Sequence, residues 1–285
     1  GEVDVLGDGI PASRFVEVMN NPELRSQVAV GDQLHTGYVA INTQVKPFDD
    51  VRVRRALNVA IDKERIVRII NNRAEPANQP LPPLMPGYNS GYKGFPLDPE
   101  RAKQLLAQAG HPNGFSTVLY VNNTDPNPRI AQAIQQDLAR IGVKVELRTL
   151  AQGPVIEAAG TPGGAPLVWS GGMAWIADYP DPGNFYWPIL SCASAVPGGW
   201  NWAWYCNREL DEMARRADAM VRPDQEAQRL AQYREIFTRI AEDAAWIPIF
   251  HERRFTMRSK RIGGEDALFV DPIHIPVNYD EVYVK

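Results

Sequence analysis

Gly37-Tyr38-Val39-Ala40-Ile41-Asn42 is followed, five residues on, by Phe48-Asp49-Asp50-Val51-Arg52-Val53-Arg54-Arg55-Ala56-Leu57-Asn58-Val59-Ala60-Ile61-Asp62. The first stretch is rich in β-formers and reads as a strand. The second places Val53, Ala56, Leu57, Ala60 and Ile61 on one face at helical spacing. Asp49 or Asp50 supplies an oxygen for its first free amides, and Asp62 does the same for a second segment, Lys63–Asn71. A strand running into a capped amphipathic helix sets the class, because the same alternation recurs downstream.

Outward from there, a short helix is expected over residues 12–20, with Ser13 near its start, and a separate strand at Val28–Val30. Residues 74–97 form a proline-rich extended stretch, since proline removes amide donors and excludes helix. Asp98-Pro99-Glu100 opens a helix with a cap, a first-turn proline and an acidic first turn; Gly110 closes it. Thr117–Val121, Val143–Leu147 and Leu167–Ser170 read as strands. Pro128–Ile141 reads as a helix, as do Glu209–Met220 and Gln225–Asp243. Trp246–His251 and Arg253–Arg258 are two further strands, and the tail 262–285 holds short strand-like pieces. Strands alternating with helices define an α/β protein.

The chain has 285 residues, 44% apolar and 22% charged, enough for a large buried core. The net charge of −4 gives no positive field for nucleic acid, so no nucleic-acid partner is expected. No apolar run approaches the 18 residues of a membrane span. Gly1-Glu2-Val3-Asp4 lacks the basic start and apolar stretch of an export leader, so any leader lies outside this sequence. The 24 prolines and 22 glycines gather in 76–99, 110–128, 153–166 and 180–199, which read as long loops on an ordered scaffold. Two cysteines, Cys192 and Cys206, share one Trp-rich loop. They are a disulfide closing about fifteen residues, worth roughly 3 kcal/mol, or two reduced thiols. With no Cys-x-x-Cys and with His35, His111, His251 and His274 scattered, no metal or other cofactor is expected.

Four stretches taken together resemble a known family. They are Tyr38–Thr43 with Pro47–Leu57 and Ala60–Lys63; Asp98–Leu106 with Ala109-Gly110; Trp175-Ile176-Ala177-Asp178-Tyr179-Pro180-Asp181-Pro182-Gly183-Asn184-Phe185; and Glu242–His251. Their order and spacing resemble the extracellular solute-binding proteins that serve ABC importers of dipeptides, oligopeptides and nickel, over roughly residues 1–264. The resemblance implies a periplasmic-binding-protein-like fold, with mixed sheets and flanking helices. It implies a non-catalytic receptor, periplasmic or extracellular, that hands a peptide or other amine-bearing solute to membrane permease subunits. Family members are much longer and have two lobes about a hinge. Residues 1–42 are thus expected to belong to the first lobe, 43–250 to form the second, and 251–285 to return to the first. The chain is expected to be a fragment, or one product of a processed or split gene, and a membrane anchor would lie on a missing N-terminus. Dipeptide-binding members carry a disulfide just after their Trp-x-x-Asp segment, which implies a Cys192–Cys206 bond.

Asp178 matches the aspartate that holds a ligand ammonium in peptide-binding relatives. The chemistry is sound, since an ammonium leaving water needs a carboxylate partner. Residues alone equally suit a turn aspartate capping its own backbone. Backbone groups of Ala174 and Ile176 are expected to pair with a peptide main chain like an added strand, with Trp175 and Ala177 completing the segment. Trp200 and Trp202 are the candidates for a pocket wall, and Trp187 for core. One departure stands out. Relatives place a basic residue for the ligand carboxylate just before the helix near Pro128, where this chain has Asn122-Asn123-Thr124-Asp125. No carboxylate clamp is legible. The alternatives are an oligosaccharide binder, a hydrolase using Asp178 and Asp181, and a sensory or regulatory module on the same fold.

Overall fold

The structure, a computed structural model, describes residues 2–6, 9–173, 175–264, 272–273 and 279–285. Its centre is a seven-stranded mixed sheet in the order β1 (Val5–Leu6), β7 (Trp246–Arg258), β2 (Val28–Ile41), β6 (Leu167–Trp169), β4 (Ser116–Asn122), β5 (Lys144–Leu150). The seventh strand, β3 (Ala74–Pro76), lies against β7 as well. β4 runs parallel to both β5 and β6, while β2 is antiparallel to β6 and β7.

The alternation of side chains along strands builds two cores. Val39, Ile41, Leu119, Val121, Leu167 and Trp169 face one way. There they meet Val53 and Leu57 of α3 (Val51–Ala60), Ile66 of α4 (Lys63–Ile69), Leu105 of α5 (Pro99–Gln108) and Ile134 and Leu138 of α6 (Asn127–Ala139). Tyr38, Ala40 and Val168 face the other way. They meet Val155 of α7 (Gln152–Ala159), Phe185 and Tyr186 of α8 (Gly183–Tyr186), Leu210 and Met213 of α9 (Arg208–Asp218), and Ile236 and Phe237 of α10 (Glu226–Glu242). Helices covering both faces of a mixed sheet confirm the α/β class. Asp50, Asp62 and Asp98 cap α3, α4 and α5 through the amides of Arg52, Arg65 and Arg101.

β2 and β7 run well beyond these cores. The four residues Val28–Gly31 pair with Met257–Arg254, and there α1 (Ala12–Asn20) seals a third, smaller core of Ile10, Phe15, Val18 and Phe255. α2 (Pro22–Arg25) follows directly. In the tail, β8 (Ile262–Gly263) pairs with β9 (Tyr283–Val284). His274 lies outside the described residues.

The structure differs from the sequence reading in three places. The strands expected at Val28–Val30 and Gly37–Asn42 are one strand, β2, with register shifts between Asp32 and Thr36 and between Gly37 and Tyr38. The pair expected at 246–251 and 253–258 is likewise one strand, β7. Residues 153–166 were expected as loop, yet α7 occupies 152–159, with Val155 and Ala159 buried.

Candidate functional site

β6 ends on Trp169, and the segment that follows is fastened to β2. The Ser170 amide donates to the Tyr38 carbonyl and the Tyr38 amide to Ser170 Oγ, both at 2.9 Å. The chain then turns at Gly171 and Gly172. A Cβ at Gly171 would lie 2.2 Å from Trp169 Nε1 and 2.4 Å from Asn127 Oδ1. Those two atoms are themselves hydrogen-bonded at 2.9 Å, so only glycine fits. Past the turn, Ile176 forms an antiparallel bridge with His35, and the Ala177 amide donates to the Leu34 carbonyl at 3.0 Å. In such a pair the flanking residues make the bonds, and the N–H and C=O of Ile176 point away from β2. Among the described residues neither group has a backbone partner. Ala174 lies outside the described residues.

Asn184, at the start of α8, organises the rest of the segment. Its Oδ1 accepts from the Asp178 amide at 2.8 Å and from Trp175 Nε1 at 3.2 Å, and its Nδ2 donates to Asp178 Oδ2 at 3.0 Å. Asn184 is buried while Asp178 is exposed, so a fixed amide aims a carboxylate that solvent can reach. The next carboxylate faces inward. Asp181 accepts from the Gly183 amide at 2.8 Å and pairs with Arg229 at 2.7 Å. This bond holds the Arg229 guanidinium above its usual pKa. Arg229 also reaches Asp218, which accepts from Tyr233 Oη and Trp187 Nε1, each at 2.6 Å. Burial, reinforced by Asp218, pushes the Tyr233 phenol well up. Asp181 therefore braces the turn against α9 and α10, while Asp178 carries the free rim.

Beside Ile176 opens a cavity of about 400 Å³, bordered by His35, Arg73, Asp125, Asn127, Phe250 and Glu252 among others. Its acids are engaged. Glu252 contacts His35 Nδ1 at 2.5 Å, and Asp125 is held by Arg129 at 2.8 and 2.9 Å. Burial pushes Glu252 up, but the charges of His35 and Arg73 and the His35 hydrogen bond outweigh this and leave it below its ordinary value. Ile176 is the only residue of the 175–178 segment on this cavity's border.

The aromatic candidates lie elsewhere. Trp202 is 2% exposed and packs in the core beneath α9 and α10, whereas Trp200 is 45% exposed, with its ring 5.6 Å from that of Trp202. Trp187 is half-buried. Cys192 and Cys206 are disulfide-bonded, and both Trp200 and Trp202 lie inside the loop they close. Sequence reasoning did not single out Asn184, Arg73 or Glu252. Asn184 had one readable signal, its place three residues after Asp181 in a Pro-Gly turn.

The site is thus a fastened, outward-facing strand segment of a mixed α/β fold, beside a cavity. Residues 1–196 match the family model described as "Bacterial extracellular solute-binding proteins, family 5 Middle", and the chain belongs to that family. It is 35% identical over 256 residues to heme-binding protein A of Haemophilus influenzae, covering 88% of this chain and 44% of that protein. It is 37% identical over 234 residues to di/tripeptide-binding protein 2 of Pseudomonas aeruginosa, covering 80% of this chain and 42% of that protein. Among solved structures, the periplasmic binding protein DppA from Helicobacter pylori in complex with peptide STSA superimposes with a TM-score of 0.84 at 26% identity. That match covers 100% of this chain and 53% of the other. The chain thus spans less than half the length of these two curated relatives. No helix among the described residues is long and apolar enough to cross a membrane.

Proposed function

We propose that this chain is the greater part of the gripping half of an extracytoplasmic receptor that captures peptide-like solutes for an ABC importer, without catalysis. The observation that carries this reading is the edge of Ile176, without a backbone partner among the described residues, which borders the cavity and lies two residues from the exposed carboxylate of Asp178. A peptide adding to that edge satisfies backbone donors and acceptors whatever its side chains are, and Asp178 takes its ammonium. Trp175, Ile176 and Ala177 supply the edge, and Trp200, backed by Trp202, is an exposed apolar surface on the disulfide-closed loop. The relatives named above as peptide-binding support the solute class.

The lobe division follows the cores. Residues 43–250 hold most of the two large clusters, whereas the third cluster is built from Ile10, Phe15, Val18 and Phe255. The 1–42 and 251–285 share expected for the other lobe narrows at its inner edge, because Leu34, Tyr38, Val39, Ala40 and Ile41 pack in the two large clusters, and the long β2–β7 ladder is the link. Closure of two lobes over the solute would present one face to permease subunits by a population shift. The disulfide suits an oxidising compartment.

Affinity of this chain alone should be weak, because much of the burying surface is supplied by the other lobe. The test is therefore an amide NMR titration with trialanine, which reads millimolar binding. The Ile176 and Ala177 amides should shift first. Shifts confined to other surfaces, or none at all, would refute the reading.

A further inference from the structure

Two histidines sit on paired strands where the β2–β7 ladder slips, and one of them borders the cavity. His251 is spent on the fold: its Nδ1 lies 3.0 Å from Thr36 Oγ1, and its Nε2 is sealed from solvent without a partner. His35 lies on β2 within the slip between Asp32 and Thr36, is 6% exposed, and borders the cavity beside Ile176. Its Nδ1 meets Glu252 at 2.5 Å. Glu252 stays below the ordinary carboxyl value despite its burial, so it is ionised and can only accept. The proton of the neutral His35 ring therefore resides on Nδ1, and Nε2 is a bare acceptor. Among the described residues this Nε2 has no hydrogen-bond partner, and unlike the Nε2 of His251 it is open to solvent.

The charges around the ring are otherwise engaged. Arg73, ahead of β3, and Arg254 on β7 act on Glu252, while Lys63 on α4 acts on His251. Asp32 and Glu75 are paired with Arg253, and Asp125, on the cavity border, with Arg129. The lining residues from 9–12 and from the 171–176 turn carry no charge. An acceptor held on a nearly buried ring at a cavity wall is satisfied only by a donor that enters the cavity.

We propose that His35 is a specificity-determining contact: its neutral Nε2 accepts a hydrogen bond from an N–H of the bound solute, and acid abolishes that bond by protonating the same atom. The inference rests on reading this cavity as the solute site and deepens it in two ways. The site selects solutes that bring a donor, amide or ammonium, to the β2 side of the cavity. It also releases such a solute as pH falls through the range in which histidines titrate, because the imidazolium is a donor and a cation. Glu252 holds the ring in the orientation and tautomer that this contact needs.

The test is an amide NMR titration of the chain with trialaninamide at pH 7 and pH 5. This probe brings donors and no acid, and keeps its ammonium across that range. The native chain should bind it roughly tenfold more weakly at pH 5, through loss of one hydrogen bond and the repulsion of like charges. His35→Gln supplies an acceptor that does not titrate and should bind equally well at both pH values. Thermal unfolding of this variant at each pH confirms its fold. Ring ¹⁵N spectra of the native chain read the same contact without a substitution: the His35 Nε2 resonance should move when trialaninamide is added at pH 7. Equal native affinity at the two pH values, a fall that persists in His35→Gln, or an unmoved Nε2 resonance overturns the role of His35 and leaves the solute site standing. Failure of the native chain to bind trialaninamide at pH 7 overturns the site reading, and this inference with it.

Discussion

Replacing Asn184 with alanine removes three hydrogen bonds at once, to the Asp178 amide, Trp175 Nε1 and Asp178 Oδ2, at 2.8, 3.2 and 3.0 Å. Each is worth about 0.5–1.5 kcal/mol net. The Asp178 end is exposed and water can replace its partner, whereas the half-buried Trp175 indole recovers less. The expected loss is about 2 kcal/mol of stability, a midpoint shift easily resolved in urea unfolding followed by tryptophan fluorescence. A second consequence is specific to the site. Without the amide, Asp178 samples several rotamers in the free chain, and fixing one on binding costs about 0.5–1 kcal/mol. Trialanine affinity should therefore fall about two- to fivefold. A stability loss below about 0.5 kcal/mol with unchanged affinity would show that Asn184 does not organise the segment.

Two further outcomes follow from the fold. Replacing Cys192 and Cys206 together by serine frees a loop whose ends are 14 residues apart and should cost about 3 kcal/mol; an unchanged denaturation midpoint would count against it. His251 is buried, with Nδ1 3.0 Å from Thr36 Oγ1, and burial, aided by the charges of Lys63 and His35, lowers its pKa to about 3. The unfolded chain takes up this proton below about pH 6.5 and the folded chain does not. The stabilising contribution is thus complete above pH 6.5 and is lost, at up to ~1.4 kcal/mol per pH unit, as pH falls toward 3. Urea unfolding of native and His251→Gln chains at pH 7 and 5.5 should show a shallower pH dependence in the variant; equal slopes would refute the assignment.

The class of the fold was legible because its elements are locally consistent. Val53, Ala56 and Leu57 mark the inner face of α3 by spacing alone, and Asp50, Asp62 and Asp98 announce their helices by position. The long strands were not legible as single strands. Gly31-Asp32-Gln33 interrupts the apolar pattern of β2 where the ladder leaves the large cores and its register slips. α7 was hidden by Gly153-Pro154, residues that mark loops but that the first turn of a helix tolerates. At the site, Asp178 and the cysteines were found through resemblance, which carries along-chain order. Arg73 and Glu252 meet only through β3–β7 pairing, and a lone arginine after two asparagines carries no local signal. The hydrogen-bonding habit of Asn184 likewise appears only when the turn is closed.

The central claim is that Asp178 anchors a solute ammonium at the end of the Ile176 edge. Titrating native and Asp178→Asn chains with trialanine and N-acetyl-trialanine tests it most directly. The native chain should prefer the free amine by roughly tenfold, and Asp178→Asn should bind both compounds alike. Trialanine binding that survives Asp178→Asn with the amine preference intact would contradict the account.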